Sequence, residues 1–324
     1  MQKKCKKWHA RLRMSFFFCN FAAEEIYCIK MGNATPLRYP GGKSVMTPFF
    51  KELFHINHME HVVYAEPYAG GVGAGINLLL LNKIERLVIN DANKGIYSFW
   101  KAVAEESERL IDTLQTTPIT LEEWGKQKAI INQGGNASFD MGLATLFLSR
   151  TNRSGILNAG PIGGGTQESQ DRATYKIDCR FNKERIIEQI RAIALHSDQI
   201  EVHNEDAMDF LRALHHDNLF VYLDPPYYVQ GKALYMNYYN ADNHQQLADY
   251  LHGYVPFSWV LSYDNVEPVR AMYAEQDCYT FELNYSAADK KKGSEFITHS
   301  EGIIFPEEIK RARKNTIKLN KISL

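Results

Sequence analysis

The chain has 324 residues, 45% of them hydrophobic and 12% aromatic, which excludes a disordered or fibrous protein and suffices for one large core or two modest ones. No apolar run reaches the roughly 18 residues of a membrane-spanning helix, so no membrane partner is expected. The five cysteines (Cys5, Cys19, Cys28, Cys179, Cys278) are scattered without a CxxC pair, which argues against a disulfide framework or a zinc ribbon and for a reducing, cytoplasmic home. The formal charge of -1 hides basic ends: seven cations against two acids in residues 1–30, six against two in 306–324, and 24 against 34 between them. A polyanion must therefore be gripped locally, for instance by Lys290, Lys291 and Lys292.

In chain order, residues 1–30 read as a poorly ordered N-terminal extension. Their apolar stretch at 16–23 is short, interrupted by Asn20 and lacks a small-x-small cleavage site. From Met31 onward, short β-branched runs alternate with amphipathic stretches, the pattern of an α/β fold with a parallel sheet. Thr47 and Pro48 read as a helix N-cap and first turn. Strands are expected at 62–66, 87–90, 200–203, 219–223, 259–262, 280–283 and 302–305, with helices at 93–114 and 184–195. About 110 residues separate the second and third strands, far beyond a normal crossover. Residues 117–195 therefore read as an inserted, mainly helical domain, with helices near 121–131 and 140–149 before a glycine-rich stretch, AGPIGGG. That leaves 31–116 and 196–310 as one split domain and 311–324 as a basic tail.

Three histidines, His55, His58 and His61, lie three apart, but no cysteine accompanies them and they read as a solvated connector; no metal is expected. Glycine loops that imitate phosphate sites fail on spacing. GGKS at 41–44 has Leu37 where a P-loop has its leading glycine, and the glycines at 70, 71, 73 and 75 give no GxGxxG register. What remains is a glycine turn after a first strand, with Asp91 ending the next strand about twenty residues on. That arrangement suits a nucleoside, because glycine lets backbone approach a ligand and a carboxylate accepts ribose hydroxyls.

The string LFVYLDPPYY (219–228) reads as a buried central strand delivering Asp224 to the carboxyl edge of the sheet, where ligands of open α/β folds bind. Pro225 and Pro226 end the ladder and leave carbonyl acceptors beside the Asp224 carboxylate, and Tyr227 offers a ring face. Such a site can hold a planar amino group.

With PLRYPGGK (36–43), AEPYAGG (65–71), IND (89–91), DPPY (224–227), LFLSRTNRSGILNAGPIGG (146–164) and KKKGSEFI (290–297) in this order, the chain resembles the class α N6-adenine DNA methyltransferases, the Dam-like family. The resemblance spans about residues 36–305. It implies a Rossmann-like S-adenosylmethionine-dependent sheet with an inserted target-recognition domain, and transfer of a methyl group to N6 of an adenine flipped out of duplex DNA. It implies that Tyr39, Lys43, Glu66, Tyr68, Gly70, Gly71, Asp91 and Asp206 surround S-adenosylmethionine, and that Asp224 borders both ligands. Asp224, Pro225, Pro226 and Tyr227 become the catalytic set. Arg153 and Asn158, in the insertion, and Lys290 to Lys292 become DNA contacts. The expected partner is double-stranded DNA, bound by a monomer, with room for a restriction endonuclease acting separately. Tyr39 stands where some members have tryptophan, and the hairpin sequence differs from theirs. The rivals are a DPPY-type enzyme acting on RNA or protein, and a catalytically silent DNA-binding relative. An intact DPPY and cofactor loop speak against silence, and Asp rather than Asn at 224 against an amide substrate.

Overall fold

A computed structural model of the chain describes residues 34–229, 239–284, 292–310 and 316–322. Its main sheet has eight strands: β1 Val63–Glu66, β2 Arg86–Asn90, β3 Ile200–His203, β4 Leu219–Leu223, β5 Ser258–Asp264, β6 Cys278–Asn284, β7 Lys292–His299 and β10 Asn320–Ile322. Their order is β10-β6-β7-β5-β4-β1-β2-β3, and β8 (Glu308–Lys310) and β9 (Thr316–Lys318) form a separate antiparallel pair. The five strands from β3 to β5 are mutually parallel, whereas β7 runs antiparallel to both β5 and β6. β4 is buried at every position because helices cover both faces of a parallel sheet, and its run LFVYL supplies the apolar side chains that burial demands.

Eleven helices surround the sheet in the described residues. They are α1 Thr47–Ile56, α2 Gly73–Leu80, α3 Lys94–Glu105, α4 Ser107–Thr116, α5 Leu121–Gln133, α6 Phe139–Thr151, α7 Gln167–Arg172, α8 Lys183–Ala194, α9 Ala207–Ala213, α10 Ala241–His252 and α11 Glu267–Met272. Phe50 of α1 is fully buried with its ring edge-on to Tyr64, Phe220 and Tyr222, which seats the N-terminal helix over β1 and β4. Helices α3 to α8 lie between β2 and β3, α5 to α8 of them within residues 117–195. Leu146, Phe147, Phe181 and Ile190 from that stretch share one apolar core with Phe99 and Trp100 of α3.

Three local expectations are corrected. Residues 302–305 form no strand. Gly302 turns with φ +82°, and Ile304 pairs through its N–H and carbonyl with the Asn57 side chain (2.7 Å each), so that backbone has no ladder partner. The strand of this region is β7. The helix expected at 93–114 is two, because Glu106 (φ -133°, ψ 33°) leaves helical geometry between α3 and α4. Thr47 lies inside α1 rather than capping it; a 3-10 turn at Ser44–Met46 precedes it, and its hydroxyl donates to the Ser44 carbonyl at 2.8 Å. Residues 1–30, and 311–315 of the basic tail, lie outside the described residues.

Candidate active site

The sheet order reverses between β1 and β4, whose onward connections run to opposite sides, and this opens a crevice beyond their carboxyl ends. A cavity of about 340 Å³ lies there. Tyr39, Lys43, Glu66, Tyr68, Gly70, Gly71, Asp91, Asp206, Asp224 and Pro226 all line it, so residues from five separate segments converge on one space.

The glycine turn after β1 is shaped by what packs on it. Gly70 has φ +47°, and a Cβ there would lie 2.5 Å from the Tyr39 ring, so only glycine fits between that ring and the cavity floor. Trp100 Nε1 donates to the Gly70 carbonyl at 2.9 Å and fixes the turn from behind. At the tip of β2, Asp91 accepts the Gly70 and Asn93 N–H groups, each at 2.8 Å. Burial nevertheless pushes its carboxyl up to about 6, the two N–H bonds resisting. Asn90, fully buried beside it, donates to the Pro67 and Glu205 carbonyls and accepts the Glu205 N–H, which ties the loops after β1, β2 and β3 together. Asp206 caps α9 through Met208 N–H (2.9 Å) at the cavity edge.

Asp224 is held by an ion pair. Lys43 Nζ lies 2.9 Å from its Oδ1, and the Ser262 hydroxyl donates to the same oxygen at 2.9 Å; Oδ2 has no partner among the described residues. Lys43 also donates to the Tyr227 hydroxyl (3.3 Å), which donates to Glu295 Oε1 (2.7 Å). Burial pulls the Lys43 ammonium toward deprotonation, but Asp224 and Glu295 reverse this and hold its pKa well above the usual value. Asp264 of β5 accepts the N–H groups of Tyr228 (2.9 Å) and Val229 (3.1 Å), which pins the exit of the proline turn. Tyr68 and Tyr239 share a hydroxyl contact of 2.8 Å on the cavity wall.

Of the other sequence candidates, Arg153 and Asn158 lie exposed on a loop closed by the Asn152–Pro161 bridge. Among the described residues, no ion pair joins Arg153 to Asp171 or Asp178. The loop abuts the site, since Arg38, next to Tyr39, donates to the Asn152 carbonyl at 3.2 Å. Buried Asn152 closes the loop from inside, donating to the Ile156 and Leu157 carbonyls at 3.0 Å. Lys290 and Lys291 lie outside the described residues, and Lys292 opens β7. Tyr235 and Tyr238 also lie outside them. His61 pairs with Glu85 at 2.8 Å, and among the described residues no group of three or more His, Cys, Asp or Glu side chains is placed to hold a metal ion. Sequence reasoning passed over Asn90, Ser262, Asp264 and Glu295. Asn90 lay inside IND and Glu295 inside KKKGSEFI, without a role being assigned to either; Ser262 and Asp264 carried no signal.

The family model of the D12 class N6 adenine-specific DNA methyltransferases matches residues 39–287. The chain belongs to this family. It is an adenine-specific DNA methyltransferase, and the eight-stranded α/β sheet is consistent with a methyltransferase fold. No curated protein matches the chain. Among solved structures, it is similar to protein LPL1258 from Legionella pneumophila str. Philadelphia 1, of family DUF519, at 10% identity. That match covers 81% of this chain and 86% of the other with a TM-score of 0.29, a likeness that carries no argument.

Glu66 generates a stability prediction. Burial raises its carboxyl to about 8, the Gly75 N–H (3.1 Å) opposing and the nearby Asp224 charge adding to the rise. The folded protein thus holds this proton more tightly than the unfolded chain, and the resulting stability is present below about 4.5 and lost as pH rises through about 8. Urea midpoints of the wild type should fall between those pH values more steeply than those of Glu66→Gln. Parallel profiles would refute the assignment.

Proposed function

We propose that this chain transfers the methyl group of S-adenosylmethionine to N6 of an adenine turned out of duplex DNA, with Asp224 as acceptor for the amino group. The observation that carries the reading is the asymmetry of Asp224: Oδ1 is taken by Lys43 and Ser262, Oδ2 has no partner among the described residues, and the residue lines a cavity that also holds the glycine turn and Asp91.

The donor set fits the cofactor. Each oxygen of Asp91 takes one N–H bond and keeps a lone pair for a ribose hydroxyl, and the bare Gly70 and Gly71 backbone admits close approach. Tyr39, Lys43, Glu66, Tyr68 and Asp206 line the same cavity. When bound, S-adenosylmethionine supplies a methyl group already activated by its sulfonium. The protein's share is then positioning and electrostatics. Asp224 Oδ2 and the Pro225 carbonyl accept the two amino hydrogens and favour a nucleophilic nitrogen, while Pro226 shapes the turn and Tyr227 gives the base a stacking face. A duplex buries that nitrogen, so the base must be extruded. Residues 31–116 and 196–310 form the catalytic domain in this reading. The 117–195 insertion is the target-recognition domain, with the Arg153–Asn158 loop probing a groove and Lys290 to Lys292 gripping phosphates.

Nucleoside mass spectrometry of unmethylated DNA treated with protein and cofactor should show N6-methyladenine. Asp224→Ala should lower turnover by about 10²- to 10³-fold or more while DNA binding persists. 5-methylcytosine as product, or undiminished turnover in the variant, refutes the reading.

Cofactor binding should depend on pH through Asp91. Ribose hydroxyls donate to its carboxylate, so affinity for S-adenosylhomocysteine should hold above about 6 and weaken by up to about tenfold per pH unit below it. Asp91→Asn should bind more weakly and lose that dependence; calorimetry from acid to neutral pH decides.

Arg153→Ala should relax preference at one base pair of the methylated site by about 1 to 3 kcal/mol, the worth of a bidentate guanine contact. A uniform loss across a randomised site library would reassign it to phosphate.

A further inference from the structure

Glu295 is a buried acid that the proposed chemistry does not use. It sits on β7 opposite Asp264 of β5 and Phe281 of β6, and is 1% exposed. A carboxyl placed this deep is costly unless its bonds do something, and one of its oxygens, Oε2, has no partner among the described residues. Its other oxygen takes the bond that orders the site. Tyr227 has one hydroxyl proton, and it is spent on Glu295 Oε1 at 2.7 Å. Toward Lys43, 3.3 Å away, the phenol oxygen can therefore only accept. Lys43 in turn faces Asp224 Oδ1 at 2.9 Å, with its ammonium 5.3 Å from the centre of the Tyr227 ring. Donor and acceptor directions are thus set from Glu295 through Tyr227 and Lys43 to Asp224.

We propose that Glu295 is a positioning residue: by taking the Tyr227 proton it makes the phenol oxygen an acceptor for Lys43, holds the ammonium against Asp224 Oδ1, and leaves Oδ2 alone to meet the amino group of the substrate base. The inference rests on the reading of Asp224 given above and extends it to a residue more than seventy positions away in the chain. Without an acceptor at 295, the Tyr227 proton has no fixed direction, the phenol lone pairs are no longer aimed at Lys43, and both the ring and the ammonium lose their set orientation.

The test compares Glu295→Leu, Glu295→Gln, Tyr227→Phe and the Leu/Phe double variant, using N6-methyladenine formation and a cofactor-free readout. In the latter, 2-aminopurine replaces the target adenine of the site mapped by sequencing methylated DNA. Glu295→Leu should lower kcat by about 10- to 100-fold, the range for a misplaced catalytic group, with KM for DNA nearly unchanged. Glu295→Gln keeps a side-chain carbonyl for the Tyr227 proton and should recover most of that loss. Tyr227→Phe removes one oxygen only and should reproduce it. In the Phe background, Glu295→Leu should change kcat by less than about twofold, because the chain is already cut. Without cofactor, 2-aminopurine emission should rise in Glu295→Leu, where the Tyr227 ring stacks less firmly, and stay low in Glu295→Gln. Wild-type protein that forms no N6-methyladenine overturns the underlying reading and the proposal with it. An active wild type combined with additive Leu and Phe effects, or with Gln as impaired as Leu, overturns the proposal alone.

Discussion

The site depends on one buried ion pair, Lys43 with Asp224. It joins the turn before α1 to the tip of β4, segments far apart in sequence, and closes the cavity on one side. A lysine 5% exposed bears a large desolvation penalty, which a single carboxylate offsets only with good geometry and further hydrogen bonds. Those are present: Ser262 backs Asp224, and Tyr227 shares the ammonium. The chain continues outward, since the Ser262 hydroxyl also meets Tyr222 at 2.7 Å. Loss of either charge leaves the other buried and uncompensated, so the pair couples the integrity of the fold to that of the site.

The sheet explains why these groups can meet. Parallel strands point all their carboxyl ends the same way, and the reversal between β1 and β4 leaves room there that helices do not fill. β1 delivers Glu66, β2 delivers Asp91 and β4 delivers Asp224 to that one edge. β7, antiparallel beside β5, brings Glu295 in from the opposite direction, beneath the proline turn. An acid from a reversed strand can thus contact a tyrosine that follows a parallel one.

What could be read in the sequence follows from which signals are local. β1 to β6 announced themselves through short β-branched runs, and α5, α6 and α8 through helical spacing. Asp224 was legible because it ends such a run directly before two prolines, and Asp91 because it ends the strand that follows the glycine turn. β7 was missed because its string begins with three lysines, and because the neighbouring GIIF run is a better apolar match that happens to pair with the Asn57 side chain. Asn90 and Ser262 are small polar residues inside strands, and although Asn90 adjoins Asp91, the role of each lies in partners 23 to 115 residues away. That helices fill the long gap between β2 and β3 was legible from its length, but these helices share the core of the sheet, which no linear pattern reveals.

The carboxylates of the cavity are managed in different ways, and the difference divides their labour. Asp91 is compensated only by fixed backbone N–H groups, which cannot move or change charge, and burial still leaves it with a proton affinity near 6. Such a group is rigid and suits a static task such as holding hydroxyls. Glu66 has one N–H and lies in the field of Asp224; raised to about 8, it is largely neutral at pH 7 and acts as a polar wall rather than a charge. Asp224 instead has a buried counter-ion, Lys43, on one oxygen. Its charge is balanced on one oxygen, which in the proposed function leaves the other for an amino group whose hydrogen bonds would strengthen as charge develops on nitrogen. In the function proposed above, three acids on neighbouring strand tips would serve as an anchor, a neutral wall and an open acceptor, and Lys43, paired with Asp224 and acting on Glu66, contributes to the difference.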